Sequence, residues 1–344
     1  MMSKKKILIP LIVFSTLLST TSVYTYQMLF SPNFLINHPD KMIIIDDDTD
    51  FKGLTNQLIE DTLLNDVISF SFLSKLMKYS ENIKVGAYKV KMNMSNYDLI
   101  SMLRAGNQTP INITFSYSWK INDLAQKISE KLKISEKDLM DFITENSQSN
   151  YGFDNQNIIG MFLPDTYEVY WDITPKNLLD RMKSEYDKFW NSERITKLER
   201  VNLSKNEVIT LASIVASETN KIDEADRIAG VYINRLRKNM LLQADPTLIY
   251  AANDFSIRRV LNKHKKIKSP YNTYMNKGLP PGPIRLSPKK YIDAVLNFEN
   301  HRFIFFCAKD DFSGYHEFAI TLSEHNKNAR KFQRALNKRK IYKW

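Results

Sequence analysis

Glu218 closes the segment Leu211-Ala212-Ser213-Ile214-Val215-Ala216-Ser217-Glu218-Thr219 and is the one acidic residue there on the apolar side. At about 100° per residue, Val208, Leu211, Ile214 and Val215 form one helical stripe that Glu218 continues. A carboxylate ending such a stripe is poorly solvated, which favours its neutral, proton-donating form. A free Glu titrates near 4.3, so only roughly one in 500 would carry a proton at pH 7. The chemistry such a residue suits is general acid catalysis; the alternative is a Glu that caps or salt-bridges a helix end. Glu224 follows in a polar turn and reads as solvated, so no second carboxylate partners Glu218 at close range.

Other chemistries find little support. Cys307 is alone, in the apolar run Phe303-Ile304-Phe305-Phe306-Cys307-Ala308, which excludes an internal disulfide and a thiolate metal cluster. No His-Glu-x-x-His spacing occurs and no carboxylate cluster completes a metal site, so neither metal nor cofactor is expected. The net charge of +11 gathers at Lys263, Lys265, Lys266 and Lys268, and again at Lys338, Arg339, Lys340 and Lys343. Such clusters suit anionic lipid, an acidic wall polymer or plain solvent. Nucleic acid is not expected as a partner, because the N-terminus places the rest of the chain outside the cell.

That N-terminus has Lys4-Lys5-Lys6 before Ile7 to Phe30, twenty-four residues without a charge. As a helix they span about 36 Å, enough for a bilayer with some tilt. The run is long for a signal peptide, and Ser19 to Gln27 offers no good Ala-x-Ala site. An uncleaved single-pass anchor is expected, with a cytoplasmic N-terminus and everything after Phe30 extracytoplasmic.

The 344 residues, 43% hydrophobic with nine Gly, suit globular structure of two or three domains. Residues 31 to about 50 read as a linker. Helical spacing follows at Leu54 to Leu64 and Val67 to Met77, a strand at Gly86 to Lys91, and a Ser95-capped helix ending at Gly106. Ile111 to Phe115 alternates as a strand. Helices then dominate: Asn122 to Lys133, Ser135 to Ile143, Pro175 to Arg194 after the N-cap Thr174, Asn206 to Thr219, and Ala225 to Leu236. Asp245-Pro246 reads as an N-cap and helix start. Residues 253 to 288 form a long ordered loop, a length that is usually functional. Arg302 to Ala308 and Tyr315 to Thr321 make a hairpin, and Thr321-x-x-Glu324 is a capping box for a final helix.

Five strings occur in order: Phe162-Leu163-Pro164-Asp165-Thr166-Tyr167, the helix from Ala212 to Thr219, Leu242-Gln243-Ala244-Asp245-Pro246-Thr247, Tyr271-Asn272-Thr273-Tyr274, and Gly278-Leu279-Pro280-Pro281-Gly282-Pro283-Ile284. Together they closely resemble the YceG-like family of endolytic murein transglycosylases. The terminal strings Gly314-Tyr315-His316-Glu317-Phe318 and Glu324-His325-Asn326 match as well. The chain departs from the family pattern at Ala216, where many members carry an acid, and at Ile159, where relatives often have Glu before the Gly.

The resemblance implies an α+β protein in three parts: residues 1–35 as cytoplasmic tip and transmembrane anchor, 36–112 as linker and LysM-like subdomain, and 113–344 as a lysozyme-like catalytic domain. It implies a lytic transglycosylase that cuts MurNAc–GlcNAc β-1,4 bonds inside glycan strands and leaves 1,6-anhydro ends. Glu218 would be the catalytic acid, then base. Gln243, Tyr271, Asn272, Thr273 and Tyr274 would contact substrate, since amide and phenol groups suit N-acetyl and hydroxyl groups. Asn272 is the foremost of these, for an N-acetyl group; the alternative is an Asn fixing the turn before Thr273. His316 and His325 would shape the cleft or hydrogen-bond within the structure. The implied partners are peptidoglycan strands, the inner membrane and the wall-synthesis machinery of elongation or division. The rival is a catalytically silent wall-binding or scaffold protein on the same fold.

Overall fold

The computed structural model describes residues 4–34 and 40–339, with side chains from residue 8 onward. Two compact units divide it: Met1–Asn112 with Glu168–Ile173, and Ile113–Tyr167 with Thr174–Trp344. The architecture is α+β, with strands only in two-stranded sheets among the described residues.

The first unit runs α1 (Lys4–Phe30), β1 (Pro32–Phe34), β2 (Lys41–Ile45), α2 (Phe51–Glu60), α3 (Val67–Leu76), β3 (Gly86–Val90), β4 (Met94–Ser95) and α4 (Asn96–Ala105). Within α1, Leu8–Phe30 has a mean hydropathy of 1.5 and is long and apolar enough to cross a bilayer. The expected linker at 31–50 is corrected by the structure, apart from residues 35–39, which lie outside the described residues. Lys41-Met42-Ile43-Ile44-Ile45 pairs antiparallel with β3, burying Ile43 and Ile45 and exposing Met42 and Ile44. A β-branched run of this kind favours a half-buried pleated strand over a linker.

Side-chain caps set the helix starts. Asp50 accepts from the Gly53 amide, Asp66 from Ile68 and Ser69, and Ser95 forms a capping box with Asp98. Gly106, at φ 73°, ends α4 in the left-handed conformation that glycine adopts without strain. The core packs Phe34, Ile43, Leu58, Phe70, Tyr88 and Leu99. A buried amide network ties the end of α1 to this core. Asn96 Nδ2 donates to Met28 O at 3.0 Å and Ser69 Oγ at 2.9 Å, and Asn33 Nδ2 donates to Asn96 Oδ1 at 2.7 Å.

The chain leaves the first unit within β5 (Ile111–Thr114) and revisits it from β6 (Thr166–Val169), after α5 (Ile121–Ser129) and α6 (Glu136–Asn146). The rest of the second unit is α7 (Pro175–Phe189), α8 (Ser192–Val201), α9 (Lys205–Glu218), α10 (Ile222–Arg237), α11 (Asp245–Ala252), α12 (Lys289–Leu296), β7 (Phe305–Ala308), β8 (His316–Ala319) and α13 (Leu322–Lys338). The single helix expected from Pro175 to Arg194 is two. Trp190 leaves helical geometry at ψ 61°, and the Asn191 side chain accepts the Arg194 amide to start α8.

Helix α9 is the axis of this unit, in contact with α10, α11 and α12. It is buried on every face from Val208 to Ala216, so the stripe read from sequence is one side of a central helix. The Pro-rich loop is stitched along it: Ile284 N donates to Ser213 Oγ at 3.0 Å, and Ser287 Oγ to Ile209 O at 3.0 Å. Gly282 lies against the Gln156 carbonyl where no Cβ would fit. The string ending in Ile284 therefore holds α9 in place. Lys340 and Lys343 of the C-terminal basic cluster lie outside the described residues.

Candidate active site

Glu218 is the last residue of α9; Thr219 turns extended, and its carbonyl accepts the Tyr291 hydroxyl of α12 at 2.8 Å. That bond fixes where the helix stops and so where Glu218 points. Its side chain lines a cavity of about 320 Å³ with Tyr232, Arg235, Gln243, Asp245 and Tyr274. Tyr232, buried on α10, donates its hydroxyl to Glu218 Oε1 at 2.6 Å.

Burial pushes the Glu218 carboxyl up to about 7, and the nearby charge of Asp245 pushes the same way. The Tyr232 hydrogen bond and the Arg235 charge oppose this without overcoming it. The C-terminal end of α9 also carries partial negative charge, which disfavours a second negative charge there. The group thus holds a proton in a large fraction of molecules near neutral pH, where a solvated Glu holds almost none.

The opposite wall comes from two loops locked together. Gln243 N donates to Thr273 O at 3.1 Å, Ala244 N to Thr273 Oγ1 at 3.0 Å, and the Thr247 and Thr273 hydroxyls meet at 2.8 Å. Tyr274 donates its hydroxyl to Asp245 Oδ1 at 2.6 Å. Asp245 opens α11 as its first residue, with Ala244 at the N-cap position expected for Asp245.

Of the six residues expected at the substrate, the structure brings Glu218, Gln243 and Tyr274 to one cavity. The other three sit behind it, contrary to expectation. Asn272 is fully buried: its Nδ2 donates to Lys265 O and Ile267 O, and its Oδ1 accepts from Tyr274 N at 2.9 Å. Both amide hydrogens and the amide oxygen are engaged within the loop, so it fixes the turn, the alternative role weighed for it. Thr273 is buried in the hydroxyl pair, and Tyr271 packs on Tyr250 at 4.6 Å.

Glu224 also departs from its solvated reading. It is 5% exposed, accepting His316 Nδ1 at 2.6 Å and His316 N at 2.9 Å. Sequence reading missed Tyr232 and Arg235 as site residues. The signal for Tyr232 was its buried helix position, since a buried phenol needs a hydrogen-bonding partner. Arg235 is 8% exposed and held by the carbonyls of Ile304, Leu241 and Leu242, contacts distant in sequence or in a loop and invisible to periodicity. No group of three or more potential metal ligands occurs among the described residues.

Comparison with known proteins places this architecture. The model of the YceG-like family matches residues 43–331. A Bacillus subtilis protein named endolytic murein transglycosylase is 29% identical over 297 residues, covering 80% of this chain and 81% of its own. One of the same name from Streptococcus pneumoniae is 26% identical, covering 94% of this chain, which spans only 64% of that longer protein. A crystal structure of a YceG-like protein from Listeria monocytogenes superimposes with a TM-score of 0.54 at 25% identity, over 84% of this chain and 98% of that one. The chain belongs to the YceG-like family.

Proposed function

We propose that this chain is a membrane-anchored endolytic lytic transglycosylase that cleaves MurNAc–GlcNAc β-1,4 bonds within peptidoglycan strands. The observation that carries the reading is Glu218, a half-buried, poorly solvated carboxyl pushed up to about 7 and facing a cavity. Relatives named endolytic murein transglycosylase support the substrate class.

In this mechanism neutral Glu218 protonates the glycosidic oxygen as the bond to the MurNAc anomeric carbon breaks. The Glu218 carboxylate then takes the proton from the 6-hydroxyl of the same MurNAc as that oxygen attacks the anomeric carbon. The product is a 1,6-anhydro end, and Glu218 finishes protonated. Intramolecular attack supplies a high effective molarity, and positioned proton transfer contributes about 10²–10⁴ in rate. Tyr232 orients the carboxyl through Oε1, leaving Oε2 for the substrate. The buried Arg235 charge steadies the carboxylate between the two proton transfers. Gln243 and Tyr274 offer amide and phenol groups to the sugar.

Asp245 favours a second reading, because it puts another carboxylate on the same cavity. In a hydrolase such a group activates water, and two flanking carboxylates do the work. One digest separates the two. Incubating the purified protein with peptidoglycan and weighing the fragments should give anhydro ends; reducing ends alone would establish hydrolysis, and no new ends a silent binder.

Helix α1 would be the single-pass anchor, with Lys4–Lys6 cytoplasmic and the chain after Phe30 beyond the membrane. Residues 51–112 would assist strand engagement as a LysM-like subdomain.

A further inference from the structure

Glu218 lines a second cavity, of about 410 Å³, shared with Thr219, Lys309, Phe312, His316 and Phe332. Each cavity is the size of a small-ligand site. The acid thus stands between two spaces, as it must if a sugar lies on each side of the bond it protonates.

His316 is the polar group built into the second space. It starts β8, and its Nδ1 is bound to Glu224 Oε1 at 2.6 Å while the other Glu224 oxygen accepts the His316 amide. A carboxylate can only accept, so Nδ1 carries the proton, and in the neutral ring Nε2 is an acceptor. Nε2 has no hydrogen-bonding partner among the described residues, yet it is not among the buried unpaired atoms. It therefore opens on the cavity. The side chain is 12% exposed and wedged by the Phe306 ring, edge to face at 5.2 Å, so the imidazole is held rather than mobile.

The opposite wall is aromatic. Phe312 and Phe332 line the cavity with ring centroids 5.7 Å apart, both partly exposed, and the Arg339 guanidinium stacks on the Phe312 ring at 4.0 Å. Phe312 is held at φ 61°, a left-handed conformation that a bulky residue rarely adopts. Gly314, at φ 80°, completes the turn. Strain of this kind persists where surrounding structure over-determines it, and it clusters at ligand sites. An acceptor on a cavity of this size suits a pyranose carrying an N–H or hydroxyl donor at its edge.

We propose that His316 is a substrate-binding residue, its Nε2 accepting a hydrogen bond from an acetamido N–H or hydroxyl of the sugar next to the scissile bond, in a space whose wall Phe312 and Phe332 help to form. Glu224 is the positioning residue that fixes the imidazole. This rests on the proposed transglycosylase reading.

The test measures binding of chitopentaose, an unbranched β-1,4 N-acetylglucosamine chain, to the full chain in detergent micelles carrying Glu218→Gln to prevent turnover. Adding His316→Asn keeps a donor near the Nδ1 position for Glu224 and removes Nε2; affinity should fall about tenfold. Phe312→Ala, on a partly exposed ring outside the core, should weaken binding several-fold and serves if the histidine variant folds poorly. Affinities within twofold of the parent for both variants, while the wild type still makes anhydro ends, would overturn the role of His316 and leave the enzyme reading standing. Absence of both chitopentaose binding and anhydro ends would sink the two together.

Discussion

The end of α9 and the start of α10 each carry a glutamate withdrawn from solvent, six residues apart, Glu224 buried and Glu218 half-buried, and the two behave as different kinds of group. Glu224 has both oxygens committed, to a ring nitrogen and a backbone amide of His316. Glu218 accepts one hydroxyl on one oxygen and turns the other to a cavity. A carboxylate surrounded by N–H donors is a structural clamp, because its charge is needed where it stands. A carboxyl with one neutral partner and poor solvation is free to exchange a proton. Poor solvation is common to both; the partners separate scaffold from acid.

The largest effect should come from replacing the acid. Glu218→Gln keeps the shape and can still accept the Tyr232 hydroxyl, but it cannot transfer a proton. Release of anhydro-ended fragments should fall by about 10² or more, with the circular dichroism spectrum unchanged. Near-wild-type turnover by the folded variant would return Glu218 to a helix-end role.

Glu224→Ala should do the reverse, acting on the fold before the chemistry. It strips the partner from the His316 amide and ring nitrogen inside a buried site. Leaving buried donors unsatisfied costs about 1–3 kcal/mol, readable as a lowered urea midpoint at unchanged m-value. A midpoint like that of wild type would mean that water replaces Glu224 and that the clamp is dispensable.

How far this contrast could be read from the chain alone follows from what sets each group. Glu218 was legible because local periodicity put an acid on an apolar stripe, and α9 formed within a residue or two of its expected limits. The N-cap at Ser95 and the capping box at Thr321 were legible for the same reason: the partners are three residues apart. Glu224 was not, because His316 is 92 positions away and the turn residues around Glu224 look solvated. Asn272 misled in the opposite direction. A polar residue in a polar loop resembles a ligand contact until its amide proves committed to the carbonyls of residues 265 and 267. The strand at residues 41–45 was overlooked because the Asp46-Asp47-Asp48 run beside it suggested a linker.

The acid should also cost stability as pH rises. Burial holds Glu218 at about 7 in the folded chain, against 4.5 for a solvated Glu. Between those values the folded state holds more protons than the unfolded one, so stability falls as pH rises from about 4.5 to about 7 and is flat above. The full shift corresponds to roughly 3 kcal/mol, an upper bound that partial exposure reduces. Glu218→Gln removes this penalty. The variant should be more stable than wild type at pH 8 by about 1–3 kcal/mol, and the gain should vanish near pH 4. Wild-type activity should decline above pH 7 as the acid form is lost. A stability difference independent of pH would show that the carboxyl is solvated and ordinary, more like a surface Glu than the acid inferred here.

The smallest effect belongs to Gln243, the exposed counterpart to the buried Asn272 loop. Its backbone is left-handed at φ 52°, while its amide N–H donates to Thr273 O and so survives any side-chain change. Glycine takes that conformation without the cost of about 1 kcal/mol that an L side chain bears, but it loses more entropy on folding. These terms nearly cancel, so Gln243→Gly should alter stability by less than about 1 kcal/mol. The side chain, by contrast, is exposed at the cavity, and losing one amide contact to the sugar should lower kcat/KM about fivefold. Chemical denaturation and fragment-release kinetics on the same preparation give both numbers. A large loss of stability would make Gln243 part of the loop scaffold with Asn272, whereas unchanged kinetics would take it off the substrate path and leave Tyr274 as the polar contact on that wall.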